Sequence, residues 1–217
     1  MTDWEPVPLP FVAAPSQLPT SLPTEEDIVN ATNVLSLEHS STLVVGVGSY
    51  FVVKHGQRVS EIEGQTLLFL EQYRSSSLVV PILYAMYRLP SKGDMCLVMQ
   101  RLPGDTLEHI WSELDEEKKS DICTRLKSAI DHLPAILTAG FYGGVGRTCI
   151  PYHLFWHPDE PKEISGPFDS EAQFNGGLVR KLQDIDETNH GYMTAKVEFY
   201  AKNLDTMLCS QGPVFTH

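Results

Sequence analysis

Short apolar runs rich in β-branched residues alternate with turn residues in the first half of the chain. The runs Leu43–Val45 and Tyr50–Val53 are joined by the turn sequence at 46–49, which predicts a hairpin. Residues 78–88 and 95–100 have the same character and predict two further strands with a turn between them. This half of the chain is therefore predicted to form a small antiparallel sheet.

Helical patterns interrupt these strands. Ser60 and Glu63 form a capping-box pattern that opens a helix. Its apolar residues at helical spacing are Ile62, Phe69, Leu70 and Tyr73. Thr24, followed by acidic residues, is the predicted N-cap of an earlier short helix that ends at about Leu35.

The second half of the chain is predicted to be mainly helical. A short helix at 106–114 precedes a longer one that starts after Asp115 and ends or kinks at Pro134. The apolar residues of the longer helix at core spacing are Ile122, Leu126, Ile130 and Leu133. Two more helices are predicted at roughly 170–184 and 191–208, the second with Val197, Tyr200, Leu204 and Leu208 on one face. Strands followed by helices predict an α+β fold.

The N-terminal residues 1–23 contain six prolines. Proline opposes regular secondary structure and favours an extended arm. The alternative that this composition favours is a flexible tail.

Composition and charge limit the partners. The chain has 217 residues and a formal net charge of −12. This charge argues against nucleic acid or an anionic membrane surface as a partner, and it favours a cationic small molecule. No secretory signal or membrane-length apolar run is recognised, and the four separated cysteines are typical of reduced thiols inside a cell. The expectation is a cytoplasmic protein with neither a nucleic-acid nor a membrane partner.

Two further patterns are interpreted as structural. The glycine-rich stretch at 140–147 looks like a phosphate loop, but it lacks the Lys-Ser/Thr pair of a Walker motif and the dinucleotide spacing. Cys149, His153 and His157 share the four-residue spacing of a helical metal site. Prolines in the same stretch oppose a helix, so no metal site is expected there, and residues 151–168 are expected to form a long loop.

Lys54 ends the apolar strand that follows the glycine turn. An ammonium group at the end of a buried strand needs a partner, and Glu63 on a helix packed over that strand would supply one. Glu63 could instead bond back to the amide of Ser60, and Gly46 and Gly48 could form either a phosphate-binding turn or a plain hairpin. A strand lysine held by a helix glutamate is how kinase-like folds hold nucleotide phosphates, which favours the ion pair.

A series of short motifs occurs along the chain in a characteristic order. The motifs are FVVKHG at 51–56, EGQTLLF at 63–69, VP at 80–81, VMQRLPG at 98–104, Trp111 with the helix after it, FYGGVG at 141–146, GPF at 166–168 and VFTH at 214–217. Their order and spacing resemble the aminoglycoside/choline phosphotransferase family, whose fold is protein-kinase-like, and especially its fungal members. The resemblance covers residues 24–217.

The resemblance implies a division of the chain into three parts. After the arm at 1–23, a small antiparallel-sheet N-lobe would occupy 24–101. An incomplete, mainly helical C-lobe would occupy 102–217.

The resemblance also implies roles for individual residues. Lys54 would bind the α- and β-phosphates of ATP, Glu63 would hold that lysine, and Gly46 and Gly48 would lie over the triphosphate. The backbone at Gln100 and Leu102 would bind adenine, although the family often has an acidic residue in place of Gln100.

The activity implied by the resemblance is ATP- and Mg²⁺-dependent phosphorylation of a hydroxyl group on a small molecule. In the family, a strand like that at 214–217 leads into a catalytic Asp, an Asn and an Asp that binds Mg²⁺, whereas this sequence stops at His217, the first residue of that loop. The expectation is a truncated, inactive member of the family, in effect a pseudoenzyme.

The alternative is a non-catalytic module that binds a nucleotide or a partner. A third possibility is a marginally stable fragment with exposed apolar faces on the helices at 116–133 and 191–208, which would promote association.

Overall fold

A computed structural model of the chain describes residues 4–36, 42–75, 78–133 and 140–207. These residues form two compact units. One unit spans Pro6–His132 and contains an antiparallel sheet, and the other contains the described residues at 4–5, 133 and 140–207. The predicted α+β class is confirmed at this level.

The sheet of the first unit has six strands in the spatial order β1-β5-β6-β4-β3-β2, and every neighbouring pair is antiparallel. The strands are β1 (Phe11–Val12), β2 (Asn33–Val34), β3 (Leu43–Val47), β4 (Phe51–Gly56), β5 (Leu83–Arg88) and β6 (Met95–Gln100). The predicted hairpin is the β3–β4 pair. The strand predicted at 78–88 begins only at Leu83.

The helices of this unit are α1 (Glu25–Val29), α2 (Glu61–Glu71), α3 (Leu107–Ile110) and α4 (Glu116–His132). A 3₁₀ turn at Trp111–Glu113 follows α3. Thr24 caps α1 as predicted, but the prediction that this helix reaches Leu35 is wrong. Asn33 and Val34 instead pair with Gly46 and Val45 of β3, because sheet pairing outweighs their weak helix propensity.

The proline-rich arm is more ordered than its composition predicted. Phe11 and Val12 add an edge strand to β5, opposite Met86 and Ala85, and Pro15–Gln17 forms a 3₁₀ turn. Prolines are tolerated beside an edge strand, where one side of the backbone makes no ladder bonds. The prediction of an arm without regular structure is therefore wrong.

Apolar side chains cover both faces of the sheet. On one face Ile28 of α1 packs with residues of four strands, which are Val45, Phe51, Val53, Tyr84, Ala85, Cys96 and Val98. On the other face Leu67 and Leu68 of α2 pack with Leu83, Met86 and Leu97. Fully burying each such large aliphatic side chain contributes roughly 1.5–3 kcal/mol.

The core face predicted for α4 is largely exposed. Leu126 is 49% exposed and Ile130 is 63% exposed. The helix carries ion pairs along its length, Lys119 with Glu116 and Lys127 with Asp131, and such pairs stabilise a helix locally. The helical spacing of Leu126 and Ile130 allowed either a packed core face or an exposed apolar face, and at these two residues the face is exposed.

The second unit is helical. It contains α5 (Lys162–Ser165), α6 (Glu171–Thr188) and α7 (Thr194–Met207), so the loop predicted at 151–168 includes one short helix. Four aromatic rings form its centre, namely Tyr142, Phe155, Phe168 and Phe174. Val197 of the predicted α7 face is buried. Pro134, Leu208, Cys209 and the strand predicted before His217 lie outside the described residues.

Two adjacent glycines of α6 give a sharp stability prediction. A methyl group added at Gly177 would overlap the Phe168 ring, whereas one added at Gly176 would meet nothing within 4 Å. We expect Gly177→Ala to destabilise the protein by about 1–3 kcal/mol through overpacking. Gly176→Ala should stabilise it by about 0.5–1 kcal/mol, because alanine loses less conformational freedom in a helix. Urea unfolding of both variants checks this, and effects of the same sign would contradict it.

Among the described residues, no helix has the length and apolarity needed to cross a membrane.

Candidate functional site

Lys54 lies in the interior of the sheet. It is the fourth residue of β4, between Val44 of β3 and Leu97 of β6. Successive residues of a strand point to opposite faces, and its neighbours Val53 and His55 are buried on the α1 face. The Lys54 side chain therefore emerges on the face that α2 covers.

Glu63 of α2 accepts a hydrogen bond from the ammonium of Lys54 and forms an ion pair with it. Ser60 is the N-cap of α2, and its hydroxyl oxygen accepts a hydrogen bond from the Ile62 amide at 3.2 Å. Of the two roles considered for Glu63, the structure therefore has the ion pair with Lys54.

The pair is only partly buried. The side chain of Lys54 is 29% exposed and that of Glu63 is 39% exposed. Solvent screens such a pair, so its contribution to the free energy of unfolding is small. An ammonium group has three N–H donors, and in the part of the chain that is described the bond to Glu63 is the one it makes. Lys54 can therefore hold an anionic ligand while Glu63 fixes its position.

On the face of the sheet that carries Lys54, the side chains of Val52, Lys54 and Met99 form a partly buried strip. Val52, two residues before Lys54 in β4, lies between Gly46 of β3 and Met99 of β6. These residues share the face of Lys54, because the side chains of paired residues in a sheet point to the same side. Val52 and Met99 are neither buried nor fully exposed. The strip offers an apolar surface that ends in a cation.

The two glycines of the β3–β4 hairpin differ in their surroundings. A side chain at Gly46 would collide with Asn33 and crowd the guanidinium of Arg101. Gly48 has a φ of +58° in the turn and has nothing near the position of a side chain. Gly46 thus leaves room for two polar side chains, and Gly48 allows the turn itself.

Arg101 was missed by the sequence reasoning, although it lies inside one of the motifs. Its Nη1 donates to the carbonyl oxygen of Gly48 at 2.8 Å, so it ties the end of β6 to the hairpin turn. Together with Asn30, Asn33 and Gly48 it lines an open cavity of about 340 Å³ at the edge of the sheet. An arginine three residues before a glycine carries no pattern that predicts such a contact 53 residues away.

Gln100 and Leu102 lie at the end of β6. The amide of Gln100 donates to the carbonyl oxygen of Ile82 at 2.8 Å, and its side-chain oxygen accepts from the amide of Ile82 at 3.3 Å. Leu102 follows the strand and is 46% exposed. The Gln100 amide is therefore engaged within the sheet.

A row of polar residues crosses the opposite face of the sheet. His55, Cys96 and Tyr87 lie side by side on β4, β6 and β5. Burial raises the pKa of the Cys96 thiol to about 11, and burial likewise raises the pKa of Tyr87, its hydrogen-bond partner. Cys96 is fully buried beside Tyr87, an environment that is typical of a structural thiol.

His55 of this row makes the stability of the protein depend on pH. Burial, followed by the charge of Lys92, lowers the pKa of His55 below its usual 6.5, while Asp94 opposes this. Below about pH 6.5 the unfolded state therefore binds a proton that the folded state does not, and stability falls as the pH decreases through that range. We expect His55→Gln to show a smaller loss of stability between about pH 7 and about pH 5 than the wild type.

Urea unfolding at several pH values measures this difference. His109→Gln is the matched control, because His109 is exposed in the same unit. An unchanged pH dependence in His55→Gln would contradict the assignment.

The two sequence patterns that were interpreted as structural lie in the second unit. The 140–147 stretch is folded tightly on itself, since Gly144 pairs with Thr148 and a side chain there would collide with it. Within the described ranges, no group of three or more His, Cys, Asp or Glu residues is arranged to hold a metal ion.

Comparisons of the chain with models of protein families, with curated proteins and with solved structures find no match.

Proposed function

We propose that residues 6–132 form a kinase-like unit that binds ATP through the strip between Arg101 and Lys54. The observation that carries the proposal is the ion pair of Lys54 and Glu63, which is partly exposed at one end of an apolar strip. A cation that is already oriented by a carboxylate binds phosphate without a further loss of side-chain freedom. Lys54 would contact the α- and β-phosphates.

The dimensions of the strip agree with a nucleotide. Leu97, beside Lys54, and Arg101 are four residues apart along the chain, which corresponds to roughly 13 Å in an extended strand. Val52 and Met99 lie between them and offer the apolar contact that a purine ring needs. We infer that the base lies towards Arg101 and the exposed backbone at Leu102, and the phosphates towards Lys54.

The order of elements supports the kinase-like assignment. A glycine-containing hairpin precedes the strand with the lysine, the helix with the glutamate follows directly, and two more strands complete the sheet. This order agrees with the small lobe of kinase-like folds that the resemblance to the aminoglycoside/choline phosphotransferase family implies.

The proposal for these 217 residues concerns the binding of ATP. Phosphoryl transfer to an acceptor would need positioned acidic groups and Mg²⁺ in addition. In the intact family pattern the acceptor is a hydroxyl on a small molecule, and the net charge of −12 favours a cationic one.

A titration with ATP and with adenosine, each without metal, tests the binding proposal. We expect ATP to bind more tightly than adenosine, because only ATP presents phosphates to Lys54. Equal affinities, or no ATP binding at millimolar concentration, would remove the proposal.

The exposed apolar residues of α4 favour a second candidate, a non-catalytic module that binds a protein partner. Leu126 and Ile130 are four residues apart and lie on one side of the helix. Sedimentation of the wild type and of Ile130→Glu tests for association. A wild type that stays monomeric at high concentration and binds ATP would favour the first candidate.

A further inference from the structure

The N-terminal arm is fixed to the helix that carries Glu63. Gln65 of α2 accepts a hydrogen bond from the Val7 amide at 2.9 Å, and its own amide group donates to the Val7 carbonyl oxygen at 2.8 Å. Both backbone groups of one residue are thus held by one side chain. Val7 lies between Pro6 and Pro8, so it supplies the backbone N–H in that stretch.

The buried side chain of Gln65 needs hydrogen-bond partners, and Val7 supplies them. Its side chain is 2% exposed, and it is two residues after Glu63 on the same helix. A buried amide without hydrogen-bond partners costs the free energy of its lost hydration. The side-chain amide also donates to Glu61, one turn earlier in α2, at 3.3 Å. The arm therefore supplies the partner of the Gln65 side-chain oxygen and a second acceptor for its amide group.

The residues of the arm that follow Val7 also pack against the sheet. Leu9 and Phe11 pack against the apolar cluster that contains Leu83, Met86 and Leu97, and Phe11 pairs with Met86 in the sheet. The same Met86 lies against Gly64 of α2. The arm, α2 and β5 therefore meet at one edge of the sheet.

We propose that Gln65 is a positioning residue for the phosphate site and that the arm is the element it acts through. By binding the Val7 peptide group, Gln65 fixes the first turn of α2, and this turn sets where the Glu63 carboxylate meets Lys54. The inference rests on the proposed ATP binding for its functional consequence. Its structural part, the fixing of α2, is independent of any ligand.

The full chain with Val7→Pro tests this proposal. Proline removes the donated N–H and suits an extended segment that is already flanked by prolines. Val7→Ala is the matched control, because it shortens the side chain but keeps both backbone groups. Two quantities are measured in each variant, the hydrogen exchange of the α2 amides relative to those of β6, and the dissociation constant for ATP.

We expect Val7→Pro to speed α2 exchange and to weaken ATP binding by about three- to tenfold, the effect of losing one buried hydrogen bond. Val7→Ala should change neither. Gln65→Met keeps the side-chain volume and removes both bonds to Val7 together with the bond to Glu61. It should weaken α2 at least as much as Val7→Pro does, and it decides the question if Val7→Pro fails to fold.

Equal exchange rates of the α2 amides in the wild type, in Val7→Pro and in Gln65→Met would overturn the proposal. Faster exchange with unchanged ATP affinity would also overturn it, because the arm would then have no influence on the site. If the wild type binds no ATP, the proposed function fails, and α2 exchange alone decides whether Gln65 fixes the helix.

Discussion

Replacement of Lys54 by alanine is expected to weaken ATP binding by about 10- to 100-fold, because hydrogen bonds to charged groups are worth roughly 1.5–3 kcal/mol. The fold should survive, since the ion pair with Glu63 is partly exposed and contributes little to stability. Isothermal titration of the variant and the wild type with ATP measures the loss, and urea unfolding verifies that the variant is folded.

The matched control is Lys127→Ala. Lys127 of α4 also forms an ion pair, with Asp131 at 2.7 Å, but it is 75% exposed and lies outside the strip. Its replacement removes the same charge from the same unit, so general electrostatic attraction of ATP falls equally in both variants. An equal loss of affinity in the two variants would show that Lys54 has no special role.

Gly64→Ala is expected to destabilise the protein by about 1–3 kcal/mol, despite a gain in helix propensity of up to about 1 kcal/mol. The added methyl group would overlap the side chain of Met86 and crowd Leu97, which are both fully buried beneath α2. To accommodate it, the buried Met86 side chain or α2 itself must shift, and a shift of α2 carries Glu63 with it. ATP affinity should therefore fall together with stability.

Urea unfolding and ATP titration of Gly64→Ala check both effects. Gly176→Ala provides the reference, since it makes the same chemical change in a helix where nothing lies within 4 Å. A Gly64→Ala protein as stable as Gly176→Ala would mean that α2 does not approach the sheet as closely as described.

Local patterns predicted the elements at the centre of the candidate site, namely the hairpin at 46–49 and the cap at Ser60. They left two roles open for Glu63, and the analogy with kinase-like folds favoured its ion pair with Lys54. The two partners of the ion pair are only nine residues apart, so the strand, the turn and the helix between them largely determine the contact. Such short-range geometry is what alternation and capping patterns encode.

Contacts between distant segments were not predictable in this way. Gln65 binds Val7 across 58 residues, and Arg101 reaches Gly48 across 53. A glutamine inside a helix or an arginine after a strand has no sequence pattern that names its partner. The sequence also left the burial of Ile130 open, because helical spacing of apolar residues shows that they share a face but not whether that face is covered.

The most direct test of the central claim is to find which lysine lies beside a bound triphosphate. An acyl-phosphate derivative of ATP serves this purpose. A lysine amine next to the phosphates attacks the acyl carbonyl, an amide bond forms, and ATP leaves. Peptide mass spectrometry then identifies the modified residue. We predict modification mainly at Lys54, suppressed by excess ATP. Modification spread over the most exposed lysines and unaffected by ATP would contradict the account.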